Sequence, residues 1–255
     1  MELSPIERIN DIYIKREDLA LFNIINGGKG RVIDFFLKQA LNQGYTDIVT
    51  CGSRDSVQCQ MVSAACQYYN LSCHLFMPNG QTTPILHYIQ QNKNTELIRT
   101  KVGYTNVLKK WSNDYAKEHN YFYLPFALEC PETITLNQEQ VQNIPSNITR
   151  IVIPIGSGMN FISILNGLEK YKIKIPVLGI QIGLDPKNNL KKFLNAPSIS
   201  YEILQSDLSY NKKPKNCLLG SINLNSTYEA KCLPFLKPND LFWIIGAELN
   251  EGGQV

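Results

Sequence analysis

Short apolar runs recur along this chain, and most are followed by a longer stretch in which apolar residues return every three or four positions. Ile12-Tyr13-Ile14 reads as a short strand, and Val32, Ile33, Phe36, Leu37, Ala40 and Leu41 have the spacing of an amphipathic helix. The same alternation predicts strands at 47–51, 73–77, 96–99 and 121–124, with helices at 84–91 and 105–117. Another helix, carrying Val57, Met61, Val62, Ala65 and Tyr69, is expected to start at a cap formed by Asp55 or Ser56. Strands alternating with helices of this length imply a parallel sheet covered on both faces, so the middle of the chain reads as one small α/β unit.

A polar linker is expected over 137–149, followed by the strongest strand, Ile151-Val152-Ile153-Pro154-Ile155. A helix bearing Phe161, Leu165 and Leu168 comes next, then a strand at 177–182, a helix at 187–194 and a short strand at 201–204. The lysine-bearing segment 206–216 reads as a mobile loop, 228–236 as a helix and 241–245 as a buried strand.

Composition narrows the class. With 255 residues, 44% apolar and 18% charged, the chain can bury a substantial core and reads as a folded, soluble protein. A formal charge of +3 on scattered lysines argues against nucleic acid as the main partner. No apolar run reaches the length of a membrane span and the N-terminus lacks a secretory pattern, so a cytoplasmic protein is expected. The seven cysteines contain no CxxC pair, and Cys73-His74 on a strand cannot by itself build a zinc cage. No metal site is expected.

Three turns carry candidate chemistry. Asn26-Gly27-Gly28-Lys29-Gly30-Arg31 sets one lysine on a glycine turn at the mouth of a helix, where a planar group can approach the amine. Its plain reading is a surface turn with a solvated lysine. Gly52-Ser53-Arg54-Asp55-Ser56-Val57-Gln58 is rich in donors and suits a carboxylate, although helix capping by Asp55 and Ser56 explains the same residues. Gly156-Ser157-Gly158-Met159-Asn160 lies between a strand and a helix, where main-chain N–H groups and the helix dipole favour a phosphate. It lacks the third glycine of the dinucleotide fingerprint and the lysine of a P-loop. A nucleotide-binding reading would take Asp185 as the ribose ligand.

Together and in this order, the turns resemble the tryptophan-synthase-β-like group, fold type II, of pyridoxal-phosphate enzymes, and within it the aminocyclopropane-carboxylate deaminase and D-cysteine desulfhydrase branch. The matching segments are Lys15-Arg16-Glu17-Asp18-Leu19, the Lys29 turn, Thr50-Cys51-Gly52-Ser53, and Asp55-Ser56-Val57-Gln58. Near the C-terminus, Leu224-Asn225-Ser226-Thr227-Tyr228-Glu229-Ala230-Lys231 is similar to the family's Leu-Asp-Pro-Val-Tyr-Glu-Gly-Lys segment.

The resemblance implies two three-layer α/β/α domains with mostly parallel sheets: a larger cofactor-binding domain from 1–42 and 145–255, and a smaller one from 43–144. It implies pyridoxal 5'-phosphate as cofactor, held by Lys29 as a Schiff base, with Gly156, Ser157, Gly158, Met159 and Asn160 at its phosphate and Glu229 facing its pyridine nitrogen. Ser53, Ser56 and Gln58 would meet the substrate, and Lys29, Ser56 and Tyr228 would carry the chemistry. The implied activity is deamination, β-elimination or β/γ-replacement on a small amino acid, by a homodimer. Val57 stands where the family carries an asparagine that bonds the cofactor's ring hydroxyl, and valine has no such donor. That departure keeps open a non-catalytic binding or regulatory protein of the same fold.

Overall fold

The computed structural model describes residues 2–183, 185–196 and 198–246. In chain order the elements are β1 (Ile6–Ile9), β2 (Ile12–Arg16), β3 (Leu21–Phe22), β4 (Ile25–Asn26), α1 (Gly27–Asn42), β5 (Asp47–Cys51), α2 (Val57–Tyr68), β6 (Ser72–Pro78), α3 (Pro84–Gln91) and β7 (Thr95–Thr100). They continue with α4 (Thr105–His119), β8 (Phe122–Tyr123), α5 (Pro131–Asn137), β9 (Arg150–Ile155), α6 (Met159–Lys170), β10 (Val177–Gln181), α7 (Lys187–Phe193), β11 (Tyr201–Gln205), β12 (Leu218–Leu219), β13 (Ile222–Asn223) and β14 (Asp240–Ile244). Among the described residues no helix is long and apolar enough to cross a membrane.

The chain groups into two compact units. Of the described residues, 2–20 with 130–246 form one and 21–129 form the other. Helix α1 and the linker therefore group differently from the division at 42/43 and 144/145 expected from the sequence. Close packing on α2 and on the β3–β4 hairpin explains the place of α1: a Cβ on Gly30 would stand 3.2 Å from the Phe22 ring.

The larger unit holds a six-stranded sheet in the order β1-β2-β14-β9-β10-β11. Only the β1–β2 pair is antiparallel. Both faces are covered, which is why β9 and β14 read as continuous apolar runs instead of alternating ones. Ile151, Ile153, Ile155, Leu241 and Trp243 pack with Phe161, Leu165 and Leu168 of α6 on one face. Val152, Phe242 and Ile244 pack with Ile222, Leu224, Ala230 and Cys232 on the other.

The expected linker is more ordered than its polarity suggests. Helix α5 precedes it, a 3-10 turn spans Gln138–Val141, and buried Gln140 accepts from the Ser4 N–H at 2.9 Å. The helix expected at 228–236 is a 3-10 helix, Glu229–Phe235, and it contains Pro234. Proline removes a donor that an α-helical ladder would need there.

The smaller unit holds a four-stranded, wholly parallel sheet in the order β7-β6-β5-β8. Val49, Cys51 and Phe76 pack against Ala116, Leu108 and Tyr115 of α4. Because every strand is parallel, the turns after β5 and β6 emerge at the same edge of the sheet, where ligands bind in open α/β folds.

Candidate active site

In the smaller unit, Lys29 sits in the first turn of α1. Asn26 is the extended residue before that helix, and Gly27 takes φ +74°, so the glycine turn read from the sequence does turn the chain into the helix. Lys29 is half-buried between the buried residues Gly28 and Gly30. Its ammonium acts on Cys59 of α2: burial pushes the Cys59 thiol far above its ordinary range, the bond with Ser56 opposes this, and the Lys29 charge opposes it further.

The donor-rich turn after β5 resolves into distinct jobs. Ser56 is the N-cap of α2, its Oγ accepting from the Cys59 N–H at 3.3 Å. The Ser56 hydroxyl proton and the N–H groups at the start of α2 remain suited to a carboxylate. Ser53 is exposed at the same turn, and its carbonyl accepts from Ser56 N–H at 3.0 Å. Arg54 donates to the Gln81 carbonyl at 3.0 Å.

Gln58 departs from expectation. It is buried, and its amide donates to Thr50 Oγ1 at 3.3 Å and to the Pro125 carbonyl at 3.0 Å. Both N–H groups are thereby spent on tying α2 to the sheet edge, which leaves no amide donor for a substrate carboxylate in this arrangement. Val57 is the first residue of α2 and half-buried.

In the larger unit, Gly156-Ser157-Gly158 joins β9 to α6. Gly158 is the N-cap at φ +88°, and a Cβ there would come 2.7 Å from Pro186 Cβ. A Cβ on Gly156 would meet the Tyr228 ring and hydroxyl at 3.2 Å. The main chain is thus closed in on two sides, which leaves its N–H groups to serve a ligand. Asn189 donates to the Ser157 carbonyl at 2.9 Å and fixes the middle of the turn.

Met159 contributes main chain only, because its side chain is buried with Ile134, Ile162 and Phe193. Asn160 Oδ1 accepts from Asn137 at 3.2 Å, which turns the Asn160 amide so that its N–H groups can donate. Asp185 is occupied at the head of α7, accepting from the Lys187 N–H at 3.0 Å.

The structure brings Tyr228 onto this turn. Burial pushes its phenol well above the usual range, and the neighbouring Tyr210 and Glu229 push further the same way. Tyr210 lies edge-on to it, ring centroids 6.0 Å apart at 79°. Glu229 is buried, and its Oε1 accepts from the Ile245 N–H at 3.2 Å, which orients the carboxylate. Tyr210, Asn189 and Asn137 were not legible as site neighbours. Each lies outside the motif and reaches it only through folding.

Taken unit by unit, the donors fit a phosphorylated pyridine aldehyde: the larger unit offers a glycine cradle that admits no side chain, suited to a phosphate, and a buried carboxylate suited to a protonated nitrogen, and the smaller unit offers a lysine amine on a glycine turn, suited to an aldehyde. The family described as "Pyridoxal-phosphate dependent enzyme" matches residues 2–198. The chain is 30% identical over 84 residues to the 1-aminocyclopropane-1-carboxylate deaminase of Variovorax paradoxus, covering 30% of this chain and 25% of that protein. It is 29% identical over 82 residues to the mitochondrial bifunctional D-cysteine desulfhydrase/1-aminocyclopropane-1-carboxylate deaminase of Arabidopsis thaliana, covering 29% of this chain and 20% of that one. These matches therefore span a quarter or less of the curated relatives' length.

Among solved structures, the crystal structure of an ACC deaminase homologue superposes with TM-score 0.81 at 19% identity, covering 97% of this chain and 90% of that one. The O-acetylserine dependent cystathionine beta-synthase of Helicobacter pylori gives 0.68 at 17% identity, covering 97% and 93%. Both show the same fold.

Proposed function

Because the chain belongs to the family of pyridoxal-phosphate dependent enzymes, we propose that it acts on a small amino acid by deamination, β-elimination or β/γ-replacement. The observation that carries this reading is the family match running through the Lys29 turn, the Ser56 turn and the Gly156 turn. The named relatives, which include an aminocyclopropane-carboxylate deaminase and a D-cysteine desulfhydrase, support the substrate class.

In this reading Lys29 would hold the cofactor through its aldehyde, and the amine, once released, would take and return the proton at the substrate's Cα. The N–H groups of Gly156 to Asn160 and the α6 dipole hold the phosphate. Glu229, oriented by the Ile245 N–H, keeps a proton on the ring nitrogen. Ser56 and the start of α2 take the substrate carboxylate, with Ser53 beside them. Tyr228, whose hydroxyl lies against Gly156, would stand beside the departing or exchanging group and donate a hydrogen bond to it. When bound, the cofactor supplies an electron sink for charge that develops at Cα. We place the protein in the cytoplasm as a homodimer, an assignment that fractionation and sedimentation would test.

The deciding experiment adds pyridoxal phosphate to purified protein, records visible absorbance, reduces with borohydride and maps the added mass. The mass is expected on Lys29, and Lys29→Ala should lose it completely. A protein that stays colourless and gains no mass on Lys29 sinks the reading. A panel of D- and L-amino acids, assayed for ammonia or keto-acid release, then identifies the substrate.

Val57 favours one second reading, a cofactor-binding protein of regulatory rather than catalytic role, since no side-chain donor stands at that position. A mapped adduct on Lys29 with no amino acid consumed would select it.

A further inference from the structure

Lys231 is a buried cation that the proposed chemistry does not use. It is 2% exposed, and burial pulls its pKa below the ordinary lysine range. Among the described residues its bonded partners are carbonyls and not a carboxylate: Nζ donates to Ser209 O at 2.8 Å and to Tyr210 O at 2.9 Å. An ammonium in such surroundings is costly unless dipoles are aimed at it. Here the two dipoles come from successive residues of a single strap.

That strap, 206–216, contains no helix or strand and connects β11 to β12. At its start the Ser206 N–H donates to the Gln181 carbonyl of β10 at 2.9 Å; beyond that its own ties are local, the Leu208 N–H donating to Ser206 Oγ at 3.2 Å and the Lys212 N–H to Ser209 O at 3.1 Å. Tyr210 rides on it, with its ring 5.9 Å from Lys231 Nζ and 6.0 Å from the Tyr228 ring. Tyr228 in turn covers Gly156. The polarity of 206–216 made it look mobile, yet a buried charge from another segment holds it.

We propose that Lys231 is a positioning residue: it fastens the strap 206–216 by two main-chain carbonyls, so that Tyr210 buttresses Tyr228 over the Gly156 turn. This rests on the functional reading only for the use to which Tyr228 is put; the fastening stands apart from it. Because the bonds go to main-chain oxygens, Tyr210→Ala removes the buttress and leaves the clasp, whereas Lys231→Met releases the clasp.

Two measurements on the full chain with pyridoxal phosphate present separate these effects. The first is the rate of trypsin cleavage after Lys212 and Lys215, both exposed on the strap. Lys231→Met should speed it about tenfold, and Tyr210→Ala should leave it unchanged, since charged hydrogen bonds of this kind govern local opening. The second is the alkaline titration of Tyr228, read as tyrosinate absorbance lost on adding Tyr228→Phe to each protein. Both variants should move it down towards the ordinary phenol range.

A Lys231→Met protein cut at the wild-type rate overturns the proposal. So does a Tyr210→Ala protein in which Tyr228 titrates as before, and this second result decides the matter if the Met variant does not fold. Failure to form the Lys29 adduct, with both shifts present, would instead sink the functional reading and leave the fastening in place.

Discussion

Two turns of this protein look alike in the sequence and are built on opposite principles. Each follows a parallel strand and opens a helix: Gly52 to Gln58 between β5 and α2, and Gly156 to Asn160 between β9 and α6. The Gly156 turn is bare main chain shut in by its neighbours, with Tyr228 against Gly156 and Pro186 against Gly158. The turn after β5 is shaped by side chains. Ser56 caps the helix, Gln58 is tied inward, and Arg54 grips the Gln81 carbonyl. A bare turn suits a large anion that needs many N–H donors at once, whereas a decorated one can change what it recognises by changing side chains.

The largest expected effect is on the bare turn. Gly158→Ala forces a side chain into φ +88° and to within 2.7 Å of Pro186 Cβ. It should cost about 2–3 kcal/mol in denaturant unfolding, and it should weaken pyridoxal phosphate binding by more than about tenfold, read by absorbance titration. Wild-type cofactor affinity in this variant would end the contrast between the turns, because the shape of the cradle would then be immaterial.

On the decorated turn the effects should be smaller and separable. Gln58→Ala leaves Thr50 and the Pro125 carbonyl short of a donor, so it should lose about 1–2 kcal/mol of stability with KM nearly unchanged. Ser56→Ala removes the α2 cap and should cost about 1 kcal/mol. It should also raise KM for the amino acid, if Ser56 meets the carboxylate. A large KM increase for Gln58→Ala with stability intact would restore Gln58 to substrate binding and show that its inward bonds are exchangeable.

The smallest effect lies at the far end of β5, and it checks that losses at the turn are not general to the strand. Burial would raise the Asp47 carboxyl, but bonds from His74 and Thr46 and the His74 charge outweigh it and hold it below the ordinary carboxylate range. A depressed folded pKa means that the contribution is present above the unfolded carboxylate pKa and fades as pH falls through the folded value. Asp47→Asn should therefore lower stability near neutrality by about 0.5 kcal/mol and flatten the acid limb of a stability–pH curve, with cofactor binding untouched. An unchanged acid limb would show that the His74 contact contributes nothing.

Most elements were legible because their signals are local. The apolar run of β9, the 3.6-residue spacing of α1, α4 and α6 and the capping serine of α2 each depend on a few adjacent residues. Elements that depend on distant partners were not. Gln138–Val141 looks like linker until Ser4 meets Gln140. The segment 206–216 looks free until Lys231 reaches its carbonyls.

The sequence by itself determined the alternation of strands and helices, the lysine on its glycine turn, the strand–Gly-Ser-Gly–helix order and the family likeness, since chain chemistry and spacing suffice for these. Only the tertiary structure decided that Gln58 faces inward, that Tyr228 covers Gly156 and that α1 groups with the smaller sheet. The reason is physical. A side chain's direction is chosen by the partners and space that packing provides, and residues far along the chain supply both.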